Sequence, residues 1–305
     1  MNPPLPTIEG VSPSSQWLPP GQWQTVLAFL TERFPRVSID TWAVRMANGG
    51  VVDETGRRLN PESKYRVGAC IYYYREPEAE QQIPFEEYVL YQDEHVLVAD
   101  KPHFLPVVPA GRFLRETLLV RLKKKLKLAY LAPVHRLDRE TAGLVLFSVN
   151  AATIGRYTSL FRERQVEKVY EALAPAHPTV SFPVTRRSRI VRGEPFFRMK
   201  EINGEPNSET LIEMIAGEAS TNRPIRYRLR PLTGKKHQLR LHMSSLGVPI
   251  LNDRLYPEPS PVSVAAADEY TQPLKLLART LQFVDPFSGR SHCFESRLAL
   301  TLQNQ

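Results

Sequence analysis

Cysteine is almost missing from this 305-residue chain, since only Cys70 and Cys293 occur and they form no C-x-x-C pair. That leaves no disulfide framework and suits a reducing compartment, so a cytoplasmic location is expected. No apolar run reaches the ~18 residues that mark a membrane-spanning helix, and no membrane association is expected. The first residues carry no basic segment followed by an apolar core, so no secretory signal is expected either. Histidine is scarce, at seven residues, and no cysteine pair accompanies it, which argues against a metal site. There is no solenoid-type repeat and no regular βαβ alternation, which turns the fold class away from repeat arrays and doubly wound sheets.

What is present describes a globular, basic protein. Hydrophobic residues make up 42% and charged residues 24%, and the length suits two cores or one large domain with an appendage. Forty Lys+Arg against 32 Asp+Glu give a net charge of +8, and the isoelectric point is near 9.5. Such a balance favours nucleic acid or an anionic membrane surface, through neutralised phosphates and released counterions. The positive charge gathers in the central and C-terminal parts, at Lys123-Lys124-Lys125, Arg136, Arg139, Arg186-Arg187-Ser188-Arg189 and Lys235-Lys236.

Residues 1–21 are rich in proline and serine and lack a helical period, which predicts a flexible arm or a loosely packed strap. Trp23, Val26, Leu27 and Leu30 then share one helical face. Pro35 ends that helix, and Ser38 or Asp40 can cap a second one through Trp42, Val44 and Met46. Gly49-Gly50 stops it, Val51-Val52 begins a strand, and residues 69–74 read as another. Residues 75–84 are charged, contain proline and read as a linker. From Tyr88 onward, short strands alternate with turns, and helices are expected near 115–128, 150–164 and 236–246. This mixture predicts α+β with a largely antiparallel sheet. In the first of those helices Leu118, Leu122 and Leu126 recur every fourth residue, giving a core face and a basic outer face.

The densest chemical signal is His135-Arg136-Leu137-Asp138-Arg139-Glu140-Thr141-Ala142-Gly143, which runs directly into Leu144-Val145-Leu146-Phe147. One carboxylate, Asp138, is bracketed by Arg136 and Arg139 in a loop that leads through a glycine into a buried strand. The flanking cations favour the ionised acid. This nonapeptide resembles the signature of the RluA-type pseudouridine synthases, whose single essential aspartate stands in His-Arg-Leu-Asp. The resemblance implies that Asp138 is the catalytic residue, that the substrate is a uridine in structured ribosomal or transfer RNA, and that no cofactor is needed.

Three further segments carry the same resemblance. Lys168-Val169-Tyr170 is similar to the family's Lys-x-Tyr strand, which implies that Tyr170 packs its aromatic face on the target base. Thr233-Gly234-Lys235-Lys236-His237-Gln238-Leu239-Arg240-Leu241-His242 resembles Thr-Gly-Arg-Thr-His-Gln-Ile-Arg-Val-His. By that likeness Arg240 pairs with Asp138, Leu239 lines the base pocket, and Gln238 reaches backbone or substrate. Lys235 and Lys236 depart from arginine and threonine, keeping charge but losing a planar fork. Gly247-Val248-Pro249-Ile250-Leu251-Asn252-Asp253 resembles Gly-x-Pro-Ile-x-Gly-Asp, with Asn252 where glycine is usual. Arg279 stands where histidine is common, and Lys101-Pro102-His103-Phe104 lacks the glycine of Lys-Pro-x-Gly. His237 and His242 lie five apart, off one helical face, and read as structural. The family further implies that Arg136 fills the gap left by a flipped uridine and that Arg139 handles the opened RNA.

The arginine-rich stretch Arg186, Arg187 and Arg189 reads as an exposed loop between strands that either grips the RNA backbone or is simply solvated, and Lys235 and Lys236 are candidate RNA contacts. Residues 22–74 resemble the alpha-L RNA-binding module, although Arg45 is almost the only basic residue on its second helix; RNA binding and a vestigial packing role both stay open. Residues 85–305 are expected to form the catalytic domain, a mixed, largely antiparallel sheet flanked by helices, in a monomeric protein. Two rivals are an RNA-binding protein without catalysis and a hydrolase with paired carboxylates, for which Glu140 would be the second acid. Whether Asp138 acts as nucleophile or as base toward the ribose is not legible.

Overall fold

The structure, a computed structural model, describes residues 3–35, 37–75, 80–177, 179–215, 224–259 and 270–301. It divides into two compact units, the first of residues 1–80 with 110–115 and the second of residues 81–109 with 116–305. Within the expected linker 75–84, residues 76–79 lie outside the described residues.

The first unit holds β1 (Ser14–Trp17), α1 (Val26–Arg33), α2 (Ile39–Ala47), β2 (Val51–Asp53) and β3 (Cys70–Tyr73), with its strands in the antiparallel order β1-β3-β2. Part of the proline-rich arm is therefore sheet. Ser14-Ser15-Gln16-Trp17 pairs in register with residues 70–73, a partner too distant in sequence for local pattern to reveal. The helix starts follow capping chemistry. Thr25 Oγ1 accepts from Ala28 N–H and Ser38 Oγ accepts from Thr41 N–H, each at 3.1 Å. Ser38, not Asp40, is thus the cap of α2, and Trp23 precedes α1 instead of lying on it. Val26, Phe29, Leu30, Trp42, Met46, Val51 and Ile71 form one core, whereas Val44 faces solvent.

Among the described residues the second unit is built on an eleven-stranded sheet. In chain order it contains β4 (Tyr88–Gln92), β5 (Val96–Lys101), α3 (Leu118–Leu126), β6 (Ala132–Pro133), β7 (Ala142–Ser148), α4 (Ile154–Arg162) and β8 (Glu167–Ala174). There follow β9 (Val184–Arg192), β10 (Met199–Ile202), β11 (Ser208–Met214), β12 (Ile225–Pro231), α5 (Gln238–Ser245), β13 (Leu276–Val284) and β14 (Ser291–Glu295). The path is β10-β9-β11-β12-β8-β13-β7-β5-β4, with β14 on β13 and β6 on β7. Among the described residues only β13 and β7 pair in parallel, so the sheet is mixed and largely antiparallel as expected, and the three helices fall inside the expected ranges. Every residue of β7 is buried, which matches a strand with neighbours on both edges.

The stretch Arg186–Arg189 is a strand, not a loop. In β9, Ser188 and Ile190 are buried while Thr185, Arg187 and Arg189 are exposed. The period of two was masked because Arg186 and Ser188, both polar, point inward. There Arg186 meets Glu201, and Ser188 Oγ lies 3.0 Å from His242 Nε2. Polar residues at inward positions are tolerated when each finds a partner.

Two departures from the family pattern also find their physical reason. Phe104 takes the left-handed backbone that the missing glycine would favour, with φ 66°. That conformation costs a bulky residue about 1–2 kcal/mol. Its ring, buried and packed on Phe85 and Tyr270 at centroid distances of 5.9 and 5.3 Å, offsets the strain. Arg279, beside a β13 bulge, donates to the Ser296 and Leu298 carbonyls at 2.9 and 2.8 Å and so ties down the C-terminal segment. Asn252 keeps its turn, with φ 62°.

Candidate active site

The loop of residues 135–141 lies between β6 and β7, and its shape is set by backbone anchors. His135 Nε2 accepts the Leu146 N–H at 3.0 Å and its ring stacks on Phe161 at 4.6 Å. Burial pushes the pKa of His135 down to about 3, so it serves as a neutral acceptor. Lys101, buried at the end of β5, donates its ammonium to the carbonyls of Pro102, Leu105 and Arg139 at 3.0, 2.8 and 3.1 Å. Burial lowers its pKa to about 7 against the opposing pull of Glu140 and Asp138. His103 Nδ1 lies 2.7 Å from the Glu140 carbonyl and must be the donor, because a carbonyl only accepts. The Lys-Pro segment thus fastens two consecutive carbonyls of the aspartate loop.

Asp138 is left partly open, with its side chain 26% exposed. Arg240, in the first turn of α5, places Nη1 3.4 Å from Asp138 Oδ2. The guanidinium is only 2% exposed, and Asp253 holds it as a fork, Nε to Oδ2 at 2.8 Å and Nη2 to Oδ1 at 2.6 Å. Burial opposes the charge on Arg240, and the Asp253 carboxylate more than reverses this, so its pKa lies above the ordinary guanidinium range. Asp253 Oδ1 also accepts from Leu255 and Tyr256 N–H, at 2.8 and 3.1 Å. Asp138 therefore faces a cation already oriented by a second acid.

His237 adds a further neighbour, with Nε2 3.8 Å from Asp138 Oδ1 and Nδ1 3.0 Å from the Tyr256 hydroxyl. It starts α5 in a left-handed conformation, φ 56°. Burial lowers its pKa to about 4, despite the Asp138 charge. Gln238 next to it is fully used. Its Oε1 accepts from Thr233 Oγ1 and Lys235 N–H, and its Nε2 donates to the Glu209 carbonyl and Thr210 Oγ1. Gln238 thus serves the backbone frame, and His242, buried among Ser188, Ser208 and Thr210, does the same.

Tyr170 lies on β8 and packs against the cluster that contains Leu239, Leu229 and Met243. Burial, then the Asp138 charge, push its hydroxyl above the usual phenol range. Asp138, Tyr170 and the adjacent pair Leu239 and Arg240 are thus brought to one place from three separate sequence segments. The remaining candidates have varied fates. Arg136 is exposed and makes no hydrogen bond or ion pair among the described residues. Arg139 is engaged by Glu140, Nη2 to Oε1 at 2.8 Å, which also occupies the second acid of the hydrolase alternative. Arg187 pairs with Glu209 at 3.1 Å and Arg186 with Glu201, while Arg189 is exposed. Lys236 donates to the Phe197 carbonyl at 2.9 Å, and Lys235 is exposed. Asp253, Tyr256 and Lys101 were not singled out from sequence, although Asp253 and Lys101 stand within the matched strings; Tyr256 follows Asp253 by three residues and carried no signal of its own.

A sequence profile described as RNA pseudouridylate synthase matches residues 95–245. The dual-specificity RNA pseudouridine synthase RluA of Haemophilus influenzae is 32% identical over 219 residues, 70% of this chain and 95% of that protein. This chain belongs to the RluA-type RNA pseudouridine synthases. A further relative in the family, an uncharacterised RNA pseudouridine synthase of Synechocystis, is 30% identical over 76% of this chain and 79% of its own length. The solved structure of human RNA pseudouridylate synthase domain containing 1 superposes on this synthase with a TM-score of 0.56 at 26% identity, covering 72% of this chain and 86% of that one.

The Arg240–Asp253 fork yields a direct expectation. Replacing Asp253 by alanine leaves a buried guanidinium whose one remaining hydrogen-bond partner among the described residues is Asp138, at 3.4 Å. Breaking a buried pair from one side costs about 3–5 kcal/mol, and Arg240 should then turn toward Asp138. Denaturant unfolding should report that loss, and the variant should have little activity even at temperatures where it remains folded. An unfolding midpoint equal to wild type would refute the assignment of Asp253 as the anchor.

Proposed function

We propose that this protein isomerises uridine to pseudouridine in ribosomal or transfer RNA, with Asp138 as its catalytic residue. The observation that carries the proposal is a partly exposed carboxylate held against a buried, acid-anchored arginine and beside a partly buried tyrosine. The reaction breaks the N1–C1′ bond, turns the uracil and joins C5 to C1′; the C5 proton leaves and N1 gains one. A single carboxylate serves either as nucleophile at C1′ or as base toward the ribose, and Arg240 orients it. Tyr170 supplies an aromatic face for the extruded base, with Leu239 behind it. The protein is taken to be a cytoplasmic monomer, and residues 22–74 to be a divergent alpha-L-like module, RNA-binding or vestigial, ahead of the catalytic domain.

Arg136 is proposed to enter the space vacated by the flipped uridine, since its guanidinium is exposed and unpaired among the described residues. Arg136→Lys keeps the charge but loses the stacking plane. Turnover of RNA should fall about tenfold to a hundredfold, with an unchanged melting temperature. Activity equal to wild type would remove that role.

The test of the function maps pseudouridine across total RNA in the source strain, in a gene deletion, and in the deletion complemented by wild type or Asp138→Asn. A site lost on deletion and restored by wild type alone identifies reaction and substrate together. A wild-type protein that is expressed and restores no site would favour the RNA-binding reading instead.

A further inference from the structure

The β9–β10 hairpin ends in a tip, residues 193–198, that the reaction as described does not use. Phe196 at that tip is 79% exposed and Phe197 36%, with ring centroids 5.5 Å apart. Isolated exposed apolar residues are ordinary on a protein surface and need no explanation. This pair differs in being adjacent, in sitting on a braced loop and in being flanked by cations. Gly193 N–H donates to the Arg198 carbonyl and Arg198 N–H to the Pro195 carbonyl, at 3.0 and 2.8 Å, which closes the tip on itself. Lys236, one of the two lysines that depart from the family string, donates to the Phe197 carbonyl at 2.9 Å. The base of the tip rests on the active site: the Arg198 guanidinium lies 5.0 Å from the Tyr256 ring centroid, and the Tyr256 hydroxyl accepts the Met199 N–H at 2.8 Å. That same hydroxyl faces His237, the neighbour of Asp138. Arg192 and Lys200 project from the two strands just behind the tip, both exposed and without an ion pair among the described residues.

Aromatic rings beside unpaired cations, held rigidly, are the elements with which proteins take single-stranded nucleic acid: bases stack on the rings and phosphates meet the charges. We propose that this hairpin is a second RNA-contact surface, with Phe196 as a stacking platform for an unpaired base of the substrate RNA. The inference rests on the proposed function and extends it, because it places a specificity element outside the base pocket. It also accounts for Lys236, whose ammonium fixes the backbone of the tip instead of seeking a phosphate itself.

Phe196 is exposed enough for substitution to leave the fold intact, so variants Phe196→Ala, Phe196→Leu and Phe196→Trp can be compared directly. Binding of a fluorescein-labelled U12 oligonucleotide should weaken about fivefold to a hundredfold in Phe196→Ala, as expected for one lost stack, and the slope of affinity against salt should stay the same. Phe196→Leu, apolar but without a π face, should behave like alanine, and Phe196→Trp like wild type. The double variant Arg192→Ala/Lys200→Ala should instead flatten the salt slope. Each variant should also modify RNA from the deletion strain more slowly in proportion to its weaker binding. Leucine acting as well as phenylalanine would overturn the proposal and point to a protein partner; alanine acting as well would overturn it outright. If wild type modifies no uridine in that RNA, it is the enzymatic reading that fails, while U12 binding still decides the hairpin.

Discussion

Asp138→Asn lowers pseudouridine formation by about four orders of magnitude or more, on the scale seen when an enzyme loses its central catalytic group, while the protein stays folded and still binds RNA. The two halves of that expectation have separate causes. Asparagine has the size of aspartate but supplies neither a nucleophilic oxyanion nor a base, so both roles open to Asp138 are lost at once. The fold is spared because Asp138 does little structural work. Its carboxylate is partly exposed, and its nearest cation, Arg240, remains charge-balanced by Asp253 at 2.6 Å. Single-turnover modification of a mapped RNA site checks the first half, and melting temperature with RNA affinity checks the second. Residual activity within tenfold of wild type would show that another group carries the chemistry.

Gly143→Ala is expected to be the most damaging small substitution in the protein. Gly143 is the second residue of β7, with φ +108°, a backbone that residues with a Cβ rarely adopt. A Cβ placed there would meet the Ala278 carbonyl oxygen at 2.2 Å and its nitrogen at 2.7 Å, on the neighbouring strand β13. No rotamer change relieves a clash with backbone, and Lys101 of β5 is paired on the other edge, so the strand cannot step aside. The penalty should exceed about 4 kcal/mol, a large share of ordinary stability. Melting temperature should drop by about 8 °C or more, or the protein should be recovered insoluble. Gly289→Ala is the control: φ is +70° there, but nothing lies within 4 Å of the added Cβ, so only the backbone term of about 1–2 kcal/mol remains. A Gly143→Ala protein no less stable than the control would mean that β7 and β13 can separate without loss.

The legible part of the fold was the part encoded by local pattern. The helix of residues 118–126 follows from leucines at every fourth position, and α2 from a serine cap ahead of an apolar stripe. The strand status of residues 184–192 was hidden, because its inward side chains include an arginine and a serine whose partners, Glu201 and His242, lie on other elements. The pairing of residues 14–17 was hidden for a similar reason: polar residues with a proline-rich approach carry no strand signal, and the partner strand lies more than fifty residues away. At the candidate site, the likeness of short strings pointed to Asp138, Arg240, Tyr170 and Leu239, which the fold brings together. It did not single out Asp253, whose importance arises only from where the turn after α5 places its carboxylate.

By itself the sequence determined which residues could do chemistry, the absence of any apolar run long enough for a spanning helix, and the positive charge that suits an RNA substrate. Those properties depend on residue type and near neighbours. Tertiary structure alone decided which arginines were committed elsewhere, since Arg139, Arg186 and Arg187 each meet a carboxylate whereas Arg136 meets none among the described residues. It also decided that Lys101 and His103 hold the aspartate loop by its carbonyls, and that a phenylalanine pair stands on a hairpin braced against Tyr256 of the candidate active site. Hydrogen bonds and ion pairs reach only about 3–4 Å, and which groups come within that distance across a hundred residues is set by strand order and register.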